Sequence, residues 1–165
     1  MRLLVRHCES SAVAGVVWIM DIEIQQMPIS FCLAGISSVV ENNAWAPVGM
    51  RLMNEMWGIV KGTGTKTTGI NHWVYLSDSK MLTGVELLSG VAIPAGLESL
   101  QFELTRYLKH VHVGPYQELP AKWNALKAEI AARGERMGKY SLEVYGHHSD
   151  DPAKVETTIY IGLEG

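Results

Sequence analysis

Glu143 and Tyr145 stand two positions apart in the apolar run Leu142-Glu143-Val144-Tyr145. In an extended strand that spacing puts a carboxylate and a phenol on the same face. Such a pair has two chemical uses. A carboxylate framed by aromatic rings attracts an organic cation through its charge and through the ring quadrupoles, each ring adding about 0.5–2 kcal/mol. A carboxylate beside a phenol can also exchange a proton with a bound substrate or activate water. The plainer alternative is a glutamate on the solvent side of its strand.

These two residues close a longer unit that begins at Tyr107. Tyr107-Leu108-Lys109-His110-Val111-His112-Val113 reads as a strand, and Gly114-Pro115 breaks it. Tyr116, Leu119, Trp123, Leu126 and Ile130 then recur at helical spacing up to about Arg133, with Pro120 near the first turn. Gly134 and Gly138 flank the exit into a strand over 140–146. A polar turn at 147–152 leads to a last strand over 155–163.

The first half has the same order. Asp21-Ile22-Glu23-Ile24-Gln25 alternates with period two and continues past Pro28 to Gly35, which predicts one strand with a kink. Pro47 can open a helix whose apolar stripe is Val48, Leu52, Met56, Ile59 and Val60. Strands are expected over 69–77, from about Leu82 to Ile93, and from Leu100 into Val113. The chain therefore reads strand-helix-strand-strand, twice. Superposing Val74-Tyr75 on Val144-Tyr145 matches Trp73 with Glu143. If the halves pack about a pseudo-twofold axis, Trp73, Tyr75, Glu143 and Tyr145 converge on one central cleft.

Composition narrows the function. At 165 residues, 47% hydrophobic and 19% charged, the chain suits one soluble domain. A formal charge of −3 gives no global basic footprint, which disfavours direct nucleic-acid binding. Cys8 and Cys32 form no zinc or disulfide framework, so a reducing cytoplasm is expected. Residues 1–20 read as a leader ahead of a ligand-binding domain over 21–165. Their apolar run, Ala12 to Met20, is far short of the roughly 20 residues a membrane span needs. His110 and His112 share a strand face and His147-His148 are adjacent, but no third ligand has suitable spacing, so neither metal nor cofactor is expected. Trp57 and Trp123 read as core anchors, and Met50, Met53 and Met56 as packing residues. No Ser-His-Asp order, nucleophile elbow or HExxH signature occurs. The mixed charges of the second helix, among them Lys122, Lys127, Glu129 and Arg133, read as a solvated face.

Tyr107, His112-Val113-Gly114-Pro115-Tyr116, Trp123, Glu143-Val144-Tyr145 and Thr157-Thr158-Ile159-Tyr160-Ile161 together resemble the GyrI-like small-molecule-binding domain, also found as the effector-binding domain of AraC-type regulators. The resemblance spans about Asp21 to Leu163 and is strongest in the second half. It implies an α+β fold, a duplicated βαββ repeat with an antiparallel sheet, two helices and an aromatic cleft around a buried glutamate. Carried onto this chain, the glutamate is Glu143, with Tyr145 beside it and Trp73, Tyr75 and Tyr107 as further lining. The expected ligand is an amphipathic small molecule, cationic ones included. Two alternatives follow from the same resemblance: hydrolysis of strained, cyclopropane-type compounds through Glu143 and Tyr145, and inhibition of DNA gyrase through a protein contact. Residues 1–20 are too few for a helix-turn-helix domain, so the chain resembles a stand-alone member.

Overall fold

The computed structural model describes residues 22–76 and 79–165. The leader expected over 1–20 and Cys8 lie outside them. The described chain runs β1 (Glu23–Gln25), β2 (Ile29–Val39), α1 (Trp45–Thr63), β3 (Thr67–Leu76), β4 (Lys80–Leu87), β5 (Glu98–Leu104), β6 (Tyr107–Val113), α2 (Leu119–Ala132), β7 (Met137–Tyr145) and β8 (Glu156–Leu163). A 3-10 turn, Tyr116–Glu118, precedes α2. This is an α+β fold with one antiparallel eight-stranded sheet of order β1-β6-β8-β7-β3-β4-β2-β5.

That order is a palindrome once β1 is matched with β5, β2 with β6, β3 with β7 and β4 with β8. The pairing registers repeat as well. Every β2–β4 pair from Ala34↔Val85 to Val39↔Lys80 has its counterpart in β6–β8, from Leu108↔Ile161 to Val113↔Glu156. Even the irregularity recurs: β3 shifts register between Thr67 and Asn71, and β7 between Met137 and Ser141. Thr67 maps on Met137 and Asn71 on Ser141, a shift of 70, so Trp73 corresponds to Glu143 and Tyr75 to Tyr145. Trp73 also pairs with Glu143 across the β3–β7 ladder. A residue that faces its own counterpart marks the axis, so the pseudo-twofold passes between these two side chains.

Three strand expectations need correction. The strand expected from about Leu82 to Ile93 ends at Leu87, because the chain turns at Gly90, which takes a positive φ of 77°. The run from Asp21 to Gly35 is not one kinked strand: Pro28 lacks the N–H that a ladder needs, and β1 and β2 lie far apart in the strand order. The run from Leu100 to Val113 likewise divides into β5 and β6 at Thr105-Arg106. Both breaks have one purpose. β1 pairs with β6 of the second repeat, and β5 pairs with β2 of the first, so the repeats exchange their leading strands. In a flat sheet β5 and β6 would lie about 29 Å apart at roughly 4.8 Å per strand, yet two residues can bridge only about 10 Å. The sheet must therefore curl strongly. Its inner face is filled by Phe31, Leu33, Val74, Phe102, Leu104 and Leu142, with Phe31 and Phe102 stacked at 5.1 Å.

Both helices lie on the other face. Gly49, Leu52, Met56 and Val60 are the buried stripe of α1, and Leu119, Leu126 and Ile130 that of α2. Gly64 ends α1 in the left-handed conformation at φ 66°, where glycine escapes the Cβ penalty. The helices cover the outer parts of this face and leave its centre, at the axis, for the residues described next. No described helix is long and apolar enough to cross a membrane.

Candidate functional site

Glu143 lies on the helix-facing side of β7 at 3% exposure. Its carboxylate accepts from Tyr75 Oη at 3.0 Å and from Trp123 Nε1 at 2.5 Å, and Tyr145 Oη donates to the same oxygen as Tyr75, Oε2. Tyr75 and Tyr145 occupy equivalent places in the two repeats, which is why both hydroxyls reach one carboxylate at the axis. A buried carboxylate is tolerated when hydrogen bonds replace its water shell, and bonds to a charged acceptor are each worth about 1.5–3 kcal/mol. No Lys, Arg or His forms an ion pair with Glu143 among the described residues. The negative charge is therefore solvated by neutral donors and has no cation of its own.

The tyrosines respond to that charge. Burial, then the charge of Glu143, raises the Tyr75 hydroxyl well above the usual phenol range. The same two causes, with Tyr75 a further contributor, raise Tyr145. Both hydroxyls remain protonated donors across any physiological pH.

Above Glu143 opens a cavity of about 530 Å³. Tyr75, Ser141 and Glu143 form its floor, Trp45 closes the α1 side, and Tyr116 and Trp123 close the α2 side. The rings support one another edge to face: Trp45 with Tyr75 at 5.4 Å, Tyr75 with Trp123 at 5.3 Å, and Tyr116 with Tyr145 at 5.5 Å. Such contacts favour defined ring orientations around the cavity. Lys127 and Lys139 stand at its rim.

Of the residues singled out from sequence, Glu143, Tyr145, Trp73 and Tyr75 gather at the axis. Trp73 is buried beneath the cavity against Tyr145, ring centroids 5.4 Å apart, and its Nε1 has no hydrogen-bond partner. Tyr107 is elsewhere. The alternation of β6 turns it to the inner face of the sheet, where it packs 5.7 Å from Tyr160. Trp123 is more than the core anchor expected, because its indole N–H is a direct partner of Glu143. The register holds the signal for it: α1 and α2 begin at equivalent positions, Trp45 and Leu119, which makes Trp123 the counterpart of Gly49. In the first repeat the strand supplies the large ring and the helix a glycine; in the second the helix supplies the ring and the strand the carboxylate. Trp57 donates instead to Asn71 at 2.6 Å. His112 is buried with Nε2 3.4 Å from Glu118, and no three potential metal ligands cluster among the described residues.

A model of the GyrI-like small molecule binding domain matches residues 76–164. No curated protein matches the sequence significantly. Among solved structures, SAV2435 bound to tetraphenylphosphonium superposes with a TM-score of 0.63 at 18% identity, covering 88% of this chain and 95% of that one. The C-terminal domain of EcmrR gives 0.62 at 14% identity over 88% and 99%. A hydrolase from Listeria innocua gives 0.51 at 13% identity over 87% and 91%. At these identities the likenesses establish a shared fold.

Proposed function

Because this chain belongs to the family of GyrI-like small molecule binding domains, we propose that its axial cavity binds amphipathic organic cations, with Glu143 as the charge they neutralise. One observation carries the reading: a carboxylate at 3% exposure on the floor of an aromatic cavity, held by Tyr75, Tyr145 and Trp123 and without a cationic partner among the described residues. A cation that enters meets an unneutralised charge where solvent screening is weak, while the rings of Tyr75, Trp123 and Trp45 offer their π-faces and edges. The cavity volume falls within the range of small-molecule sites. Tetraphenylphosphonium, the ligand in the SAV2435 structure, is a lipophilic cation of this class. Trp73 would act from beneath, holding Tyr145, and Tyr107 would contribute only to the inner core. Titration of a panel of cationic and neutral dyes, followed by tryptophan fluorescence, tests the reading. Equal affinity for both classes would remove the charge from the account.

A second reading uses the same groups for turnover. Tyr145 is a protonated donor bonded to a carboxylate, the arrangement that water activation or protonation of a strained ring requires. Mass spectrometry separates the two: a binding protein returns a reactive cyclopropane compound unchanged, whereas a hydrolase adds water to it.

A further inference from the structure

The cavity is acidic at its floor and basic at its rim. Among the described residues Glu143 is the only carboxylate in its lining, whereas Lys127 on α2 and Lys139 on β7 both border the opening. Neither lysine forms an ion pair among the described residues. Each instead rests on an aromatic ring, Lys127 Nζ 5.8 Å from the Trp123 centroid and Lys139 Nζ 5.0 Å from that of Tyr140. The first contact holds the Lys127 ammonium against a wall of the cavity; Tyr140 belongs to the inner-face cluster with Phe102, so Lys139 borders the opening through its place in the lining and not through that ring. A simple monocation would gain attraction from the floor but lose part of it to two positive charges at the entrance. A space of about 530 Å³ is roughly 10 Å across, comparable to one Debye length at 0.1 M salt, so the rim charges are felt inside.

This polarity points to a narrower ligand class, an inference that rests on Glu143 receiving a cation. We propose that the preferred ligands are zwitterions: an aromatic or amphipathic cation seated on Glu143, with a carboxylate or similar anion turned outward to Lys127 and Lys139. The two lysines would then select for charge separation within the ligand and disfavour cations that carry none.

Tetramethylrhodamine methyl ester and its free acid make a matched pair, because both carry the same ring cation and only the acid adds a carboxylate. Fluorescence polarisation of the full chain at low salt should show the acid binding about 3- to 10-fold more tightly, the combined effect of two exposed ion pairs. In the double variant Lys127→Gln/Lys139→Gln the preference should vanish and the ester should bind more tightly than before, since a repulsion has been removed. High salt should shrink the preference in the parent protein. Equal binding of ester and acid by the parent, or a preference that survives in the double variant, overturns the zwitterion proposal and leaves the cation reading standing. Failure of both dyes to bind overturns the cation reading itself, and this proposal with it.

Discussion

Trp73 and Glu143 face each other across the β3–β7 ladder and are also counterparts in the two repeats. At such a point a strictly symmetric protein would juxtapose identical side chains. Two tryptophans would fill the space, and two glutamates would repel in a poorly screened setting. One of each leaves a single carboxylate, on which the symmetric pair Tyr75 and Tyr145 both close. The duplicated scaffold thus supplies matched donors, and the broken symmetry supplies the charge they hold.

The tyrosines make a prediction about alkaline pH. Burial and Glu143 raise both hydroxyls above the phenol value of about 10 that they regain on unfolding. Above that pH the folded state binds more protons than the unfolded state, so stability falls as pH rises. Each tyrosine should contribute a slope of about 1.4 kcal/mol per pH unit. Urea unfolding at pH 9, 10 and 11 should show the loss, and the double variant Tyr75→Phe/Tyr145→Phe should flatten it. An unchanged slope in that variant would mean that other groups cause the loss.

Trp123→Phe keeps an aromatic wall but removes the N–H bonded to Oε1 of Glu143. Stability should drop by about 1.5–3 kcal/mol, the range for a hydrogen bond to a charged group. Cation affinity should fall by less than about tenfold, because the carboxylate remains. Chemical denaturation and dye titration on one preparation would separate the two effects. A larger loss of binding than of stability would make Trp123 itself the main ligand contact.

Two glycines of α1 should respond in opposite directions to alanine. At Gly58 a Cβ meets nothing within 4 Å, so the better helix propensity should stabilise the protein by about 1 kcal/mol. At Gly49 a Cβ would lie 2.6 Å from the Trp73 ring. That clash costs about 1–3 kcal/mol in a packed core, which outweighs the propensity gain. Gly49→Ala should also displace Trp73 from Tyr145, visible as a change in near-ultraviolet circular dichroism. Stabilisation by both substitutions would contradict the described packing of α1 on Trp73.

Much of this was legible in the sequence because two local periods carried it. The helical stripe through Leu119, Leu126 and Ile130, and the two-residue spacing of Glu143 and Tyr145, each imply a face. The match of Val74-Tyr75 with Val144-Tyr145 recovered the register that the two repeats share. The rest is non-local. Nothing in the run from Asp21 to Gly35 states that its first part pairs with β6, because the exchange is decided by partners far along the chain. The resemblance groups Tyr107 with the cleft, whereas the parity of β6 turns it to the inner face. Trp123 reads as a packing residue because helical spacing reports burial and does not separate a core ring from one whose N–H meets a carboxylate.

On the proposed reading, the charge of Glu143 selects cations. Tetraphenylphosphonium and tetraphenylborate share one shape and carry opposite charges, so isothermal titration with both isolates that charge. The parent protein should bind the phosphonium and discriminate strongly against the borate. Glu143→Gln keeps an oxygen for Trp123, and its amide can donate to the rotatable tyrosine hydroxyls, so the fold should persist. Its phosphonium affinity should nonetheless fall at least about tenfold, or 1.4 kcal/mol. A folded Glu143→Gln variant that binds the phosphonium as tightly as the parent, or a parent that binds both ions equally, would contradict the account.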